Sequence, residues 1–96
     1  MVSMELRIDS RLGIHLRPAG AMCNEAVKYN SVILFSKDDN KTANVKSVIS
    51  ILAAGVKFGD TIKITAEGSD EQQALDGVVK ALKQSILSDL ESDGED

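Results

Sequence analysis

Between Leu75 and Leu90 the residues Leu75, Val78, Val79, Leu82, Ile86 and Leu90 fall along one face of a 3.6-residue helix. This is the clearest amphipathic segment in the chain, and its apolar stripe has to be buried against something. Two segments of period two answer it. Met4, Leu6 and Ile8 alternate with Glu5, Arg7 and Asp9, and Thr61 to Glu67 alternates from end to end. Each reads as a strand with one wet face and one dry face. At 96 residues the chain has room for one domain and not for two. A layer of helices covering one face of a single sheet follows.

The remaining segments fill in the order. Ala19, Met22, Cys23, Ala26 and Tyr29 make a second apolar stripe, predicting a helix from Ala19 to Tyr29. Val32-Ile33-Leu34-Phe35 is a short apolar run. Lys37 to Lys41 has the composition of a turn and Thr42 to Val45 reads as a return arm, which together predict a hairpin. Ser47 to Leu52 is rich in β-branched residues, yet Ser47 can cap a helix and Ala53-Ala54-Gly55 supplies a helix end. A short helix is predicted there. Lys57 to Asp60 is a turn, and Ser69 with Gln72 reads as a capping box opening the last helix. Gly77 inside that helix costs about 1 kcal/mol against alanine. The resulting order is β-α-β-β-α-β-α. Both β-hairpin and split β-α-β arrangements fit it, so strand order stays open.

Composition narrows function. The net charge is −4, Trp is absent, and one Tyr and two Phe are scattered. Neither a basic track nor a stacking platform for nucleic acid is present. Cys23 has no second cysteine to pair with, lies on the apolar stripe of its helix and reads as a small core residue suited to a reducing compartment. One His and one Cys do not make a metal site, and no cofactor motif occurs. Without a signal-like or membrane-length apolar run, the expected location is cytoplasmic. The expected domain spans residues 1–88. Residues 89–96 are expected to form an acidic, frayed tail, because few apolar residues are present to offset its ordering entropy.

The chemistry concentrates in Gly13-Ile14-His15-Leu16-Arg17-Pro18-Ala19-Gly20, which holds the only histidine and the only proline. Proline suits the first turn of a helix, where its missing N–H has no partner to lose. His15 would then stand at a helix mouth, where unpaired N–H groups favour an anion. Imidazole is substantially neutral near pH 7, from a reference pKa of ~6.5, so its lone pair is available. Arg17 offers planar charged donors beside it. An imidazole nucleophile, a guanidinium and an anion-friendly helix end point to a phosphoryl group carried on His15. An exposed site of this kind can release the group again.

These residues resemble the active-site signature of the histidine-containing phosphocarrier family, HPr, of the bacterial phosphoenolpyruvate-dependent sugar phosphotransferase system. Asn44-Val45-Lys46-Ser47-Val48-Ile49-Ser50-Ile51-Leu52 is similar to the second signature of that family. Gly55, Gly59-Asp60 and Ala66 to Glu71 also follow it, and the resemblance spans roughly residues 2 to 87. It implies an α+β, open-faced β-sandwich, with a four-stranded antiparallel sheet and three helices on one face. It implies that His15 accepts a phosphoryl group on Nδ1 from phosphorylated enzyme I and passes it to sugar-specific enzyme IIA domains, with Arg17 contacting the phosphate. It implies regulatory phosphorylation at Ser47 by an ATP-dependent HPr kinase/phosphorylase, with a catabolite-control transcription factor as a further partner. Leu16, Gly20, Lys46, Ile49 and Leu52 match its docking positions, Ile49 and Leu52 being expected outward. Ser50 stands where the family commonly has glycine. Nothing in the chain demands more than a monomer. The alternative is a regulatory HPr-like binding module that works through the Ser47 patch with little or no phosphotransfer.

Overall fold

The computed structural model describes the backbone of residues 1–37 and 41–93 and the side chains of residues 1–37 and 41–89. The elements are β1 (Val2–Arg7), α1 (Leu16–Ala26), β2 (Val32–Lys37), β3 (Lys41–Asn44), α2 (Val48–Ala53), β4 (Thr61–Glu67) and α3 (Glu71–Asp93). The sheet order is β1-β4-β2-β3 and every neighbouring pair is antiparallel. With β4 inserted between them, β1 and β2 run parallel, which is the split β-α-β arrangement. Residues 38–40, in the middle of the turn expected from Lys37 to Lys41, lie outside the described residues.

Period-two alternation in β4 puts Ile62, Ile64 and Ala66 fully inside while Thr61, Lys63 and Glu67 face water. Across the ladder, Leu6 pairs with Ile62 on the dry face, and Met4 pairs with Ile64 at the exposed margin of that face. On the other side Phe35 pairs with Ile64 and Ile33 with Ala66. α3 lies over β1, β4 and β2, α2 packs on β3, and α1 packs on both helices. Leu75, Val78, Val79 and Leu82 turn the predicted stripe of α3 into this core. Full burial of each such side chain stabilises by roughly 1.5–3 kcal/mol. Cys23 packs against the edge of the core. The side chain of Leu90, at the end of the stripe, lies outside those described.

Several boundaries differ from the sequence reading. β1 ends at Arg7, not Asp9, because the ladder with β4 runs out at the Arg7–Thr61 pair. Ile8 then bonds the turn instead, donating to the Asp60 carbonyl at 2.8 Å and accepting from Gly59 N–H at 2.7 Å. α1 begins at Leu16, which makes Pro18 its third residue, and it ends at Ala26. Residues 27–29 tighten into turns, with Lys28 and Tyr29 N–H donating three residues back. β3 stops at Asn44, although Val45 N–H still donates to the Ile33 carbonyl. At the start of α3 the Ser69–Gln72 box does not form. The Asp70 carbonyl takes the first helical bond, from Ala74 N–H at 2.9 Å. Its carboxylate instead accepts from Asn30 N–H, Ser31 N–H and Ser31 Oγ at 2.9, 3.0 and 2.5 Å. That carboxylate satisfies the hydroxyl of Ser31, which is fully buried. Gln72 turns to Asp76.

The last helix runs through residue 88, where the domain was expected to end, and on to Asp93. Residues 94–96 lie outside the described residues.

Gly77 has a reason that local propensity does not show. A Cβ there would press on the hydroxyl of Tyr29 and stand 2.7 Å from Glu25 Oε2. Those two groups share a 2.7 Å hydrogen bond in which Tyr29 donates. Gly77→Ala therefore gains about 1 kcal/mol of helix propensity and incurs about 1–3 kcal/mol of overpacking. Urea unfolding should show a net loss of about 1 kcal/mol. In a Tyr29→Phe background, where the hydroxyl is gone, the loss should shrink or change sign.

Candidate functional site

The loop Ser10–His15 places the histidine. Gly13 has φ of +65°, and a Cβ on it would collide with the Val56 carbonyl and the Lys57 backbone, so the left-handed, side-chain-free position is obligatory. Ile14 N–H donates to the same Val56 carbonyl at 3.1 Å and its side chain is buried. His15 then adopts an extended backbone at the N-cap of α1, and its carbonyl accepts from Ala19 N–H at 3.0 Å. Its side chain makes no capping bond to the helix. Pro18 has no N–H to leave unpaired. The first turn therefore presents the N–H groups of Leu16 and Arg17 at the positive end of α1.

The two predicted polar groups are joined by a third. Asp89, near the end of α3, brings Oδ2 to 2.8 Å from His15 Nε2, and its Oδ1 accepts from Arg17 Nη1 at 3.1 Å. The Asp89 side chain is only 11% exposed, against 32% for His15 and 60% for Arg17. Burial pushes the Asp89 carboxyl up. The hydrogen bonds from His15 and Arg17, with their charges, outweigh it and hold the carboxyl below its ordinary value of 3.8. Sequence reasoning consigned Asp89 to the tail because composition turns acidic there. The usable signal was the stripe ending at Leu90, which implies helix through residue 89.

The second predicted site also has defined geometry. Ser47 is the N-cap of α2 and its Oγ accepts from Ser50 N–H at 3.2 Å. Ser50 Oγ in turn accepts from Asn44 N–H at 2.9 Å, tying β3 to α2 where a glycine could not. Lys46 sends its ammonium to the Tyr29 carbonyl at 2.7 Å, so it braces the end of α1. On α2, Ile51 is buried and Val48 packs against the core, whereas Ile49 is 81% exposed and Leu52 is also exposed. Leu16 is exposed beside His15, and open space surrounds Gly20. Leu12 and Phe58 are exposed apolar residues that the sequence reading passed over. Among the described residues there is no acid, His and Cys cluster able to hold a metal ion, and no helix long and apolar enough to cross a membrane.

Comparison with known proteins decides the family. The PTS-HPr family model, described as the PTS HPr component phosphorylation site, matches residues 2–84. The chain belongs to the PTS-HPr family. The phosphocarrier protein HPr of Mycoplasma pneumoniae is 33% identical over 84 residues, covering 88% of this chain and 96% of that protein. The HPr-like protein Crh of Halalkalibacterium halodurans is 30% identical over 84 residues, covering 88% and 99%. Among solved structures, HPr-C-His from Thermoanaerobacter tengcongensis superposes with a TM-score of 0.81 at 35% identity, covering 90% of this chain and 96% of that one. The four-stranded open sheet with three helices is thus the HPr fold, in the expected β-α-β-β-α-β-α order. Asp89 lies beyond the residues matched by the HPr family model.

The depressed Asp89 carboxyl has a sign that can be read in solution. Its share of stability is complete above the ordinary value of 3.8 and disappears as pH falls through the lower folded value. A carboxyl-carbon NMR titration should therefore place the Asp89 midpoint below 3.8 in the wild type. In Arg17→Ala the midpoint should move up.

Proposed function

We propose that this HPr-family chain is a phosphocarrier in which His15 takes a phosphoryl group on Nδ1 from phosphorylated enzyme I and hands it to enzyme IIA domains. The observation that carries the reading is His15 at the extended N-cap of α1, its imidazole free of any capping bond, with the Arg17 guanidinium drawn to the same spot. The N–H groups of Leu16 and Arg17 and the guanidinium supply charge-assisted donors to an anion on the ring. All of them are at the surface, so the group is stabilised without being enclosed. The partners are proteins, which fits the exposed apolar residues Leu16, Ile49 and Leu52. One copy of the chain in the cytoplasm is the working unit. Ser47 is the proposed regulatory position, for an ATP-dependent HPr kinase/phosphorylase. A phosphate there would put negative charge on the first turn of α2, two residues before Ile49.

The 30% identity to an HPr-like Crh protein favours a second reading, a regulatory binding module acting through the Ser47 patch. Retention of His15 supports the carrier, since pure regulation has no use for that imidazole.

Incubation with phosphoenolpyruvate and enzyme I should add one phosphoryl group that is acid-labile and base-stable. His15→Ala should abolish the uptake, and Arg17→Ala should slow it at least tenfold, about 1.4 kcal/mol of transition-state stabilisation. Uptake by His15→Ala equal to wild type would refute the carrier assignment. With the kinase and ATP, acid-stable label should appear in wild type and vanish in Ser47→Ala. That variant also loses the α2 cap, at about 1 kcal/mol, so its melting curve should be recorded alongside.

A further inference from the structure

The carboxylate on the far side of the imidazole has no place in the account so far. An ionised carboxylate offers only lone pairs, so the hydrogen in the 2.8 Å contact between His15 and Asp89 sits on Nε2. The neutral ring must then keep its lone pair on Nδ1. Among the described residues no hydrogen bond engages that nitrogen. Asp89 also holds Arg17 through its other oxygen, so one carboxylate fixes both groups. It is the most buried of the three side chains and rides on α3, a rigid support packed along α1.

Resting on the carrier reading above, we propose that Asp89 is a positioning residue for phosphoryl transfer, holding the Nε2–H of His15 so that Nδ1 is the nucleophile. The Nδ1 lone pair forms the new bond to phosphorus. The bond from phosphorus to the donor's leaving atom breaks, and its electron pair returns to that atom. The ring, still protonated at Nε2, becomes an imidazolium, and Asp89 faces the positive charge it acquires. In the onward step the acceptor's nucleophile bonds to phosphorus, the electron pair of the N–P bond returns to Nδ1, and the ring departs as the same neutral tautomer. No proton need be gained or lost by His15 in either direction. Arg17, paired with Asp89 at rest, is already beside the incoming phosphoryl oxygens.

The test compares wild type, Asp89→Ala and the isosteric Asp89→Asn. Two readouts are taken, the initial rate of phosphorylation by enzyme I and phosphoenolpyruvate, and the imidazole N–H resonance in nitrogen-15 NMR. Wild type should show a ring N–H at Nε2 protected from solvent exchange, and Asp89→Ala should lose that protection. In both variants kcat should fall on the order of tenfold, the lower end of what losing the carboxylate behind a metal-bound imidazole costs. KM should stay within twofold, because docking is untouched. Asp89→Asn keeps the shape of the side chain, so a fall in its kcat with an unchanged melting curve reads the charge and not the fold. Unchanged kcat in both variants, or a protected ring N–H that survives in Asp89→Ala, would overturn the proposal. Failure of wild type itself to take up phosphoryl groups would instead defeat the carrier reading, and with it any role in transfer. The NMR readout would still report the Asp89 contact.

Discussion

The antiparallel packing of α1 against α3 governs the placement of every group in the site. At one end of the pair, the Asp70 carboxylate gathers Asn30 and Ser31 just beyond α1. Midway, Gly77 leaves room for the Tyr29–Glu25 bond. At the other end, Asp89 meets His15 and Arg17. Two polar contacts and one close approach thus fix the relative position of two helices whose apolar faces could otherwise slide along one another. Hydrophobic burial is non-directional. The directional bonds turn a greasy interface into a register, and the register decides which carboxylate of α3 arrives at the histidine. The opposed helix dipoles favour the same arrangement, since the negative end of α3 lies toward the positive end of α1.

A carrier has a harder task than a binder, because whatever stabilises the loaded form too well prevents unloading. The site meets this with groups that are exposed and already occupied. Arg17 is mostly in solvent and spends its resting state on Asp89. An arriving phosphate has to share or displace that partner, so the arginine's attraction is felt as a difference between two anions and not as a whole salt bridge. Exchange of one charged partner for another is cheap compared with desolvating a free charge. On the proposed carrier role, this lets the same guanidinium help in both directions of transfer.

Much of this was legible from residues. β4 runs from Thr61 to Glu67 as its alternation demands. Ser47 caps α2, and Gly55 follows its end with φ of +65°. The outward turn of Ile49 and Leu52 follows from their three-residue spacing once Val48 and Ile51 face the core. These features depend on neighbours in sequence. The misplaced ones depend on something distant or permissive. Proline is tolerated anywhere in a first turn, so Pro18 could not say whether α1 begins at Ala19 or at Leu16. The end of β1 is set by its partner strand, and strand order by a connection that local pattern cannot see. Asp70 looked like part of a capping box, but the buried hydroxyl of Ser31, forty positions away to within one, claims its carboxylate.

Asp89 shows the limit most clearly. Composition treats Ser88 to Asp96 as a stretch with too few apolar groups to fold, and for an isolated segment that holds. A helix already anchored by Leu75, Val78, Val79 and Leu82 has met its nucleation cost, and each added residue then needs only its own hydrogen bond to continue. The extension carries a carboxylate to the point where the N-terminus of α1 and a guanidinium concentrate positive charge. That contact rewards the extra turns of helix. The Asp89 carboxylate, which composition alone assigned to a frayed tail, is the group that fits this place.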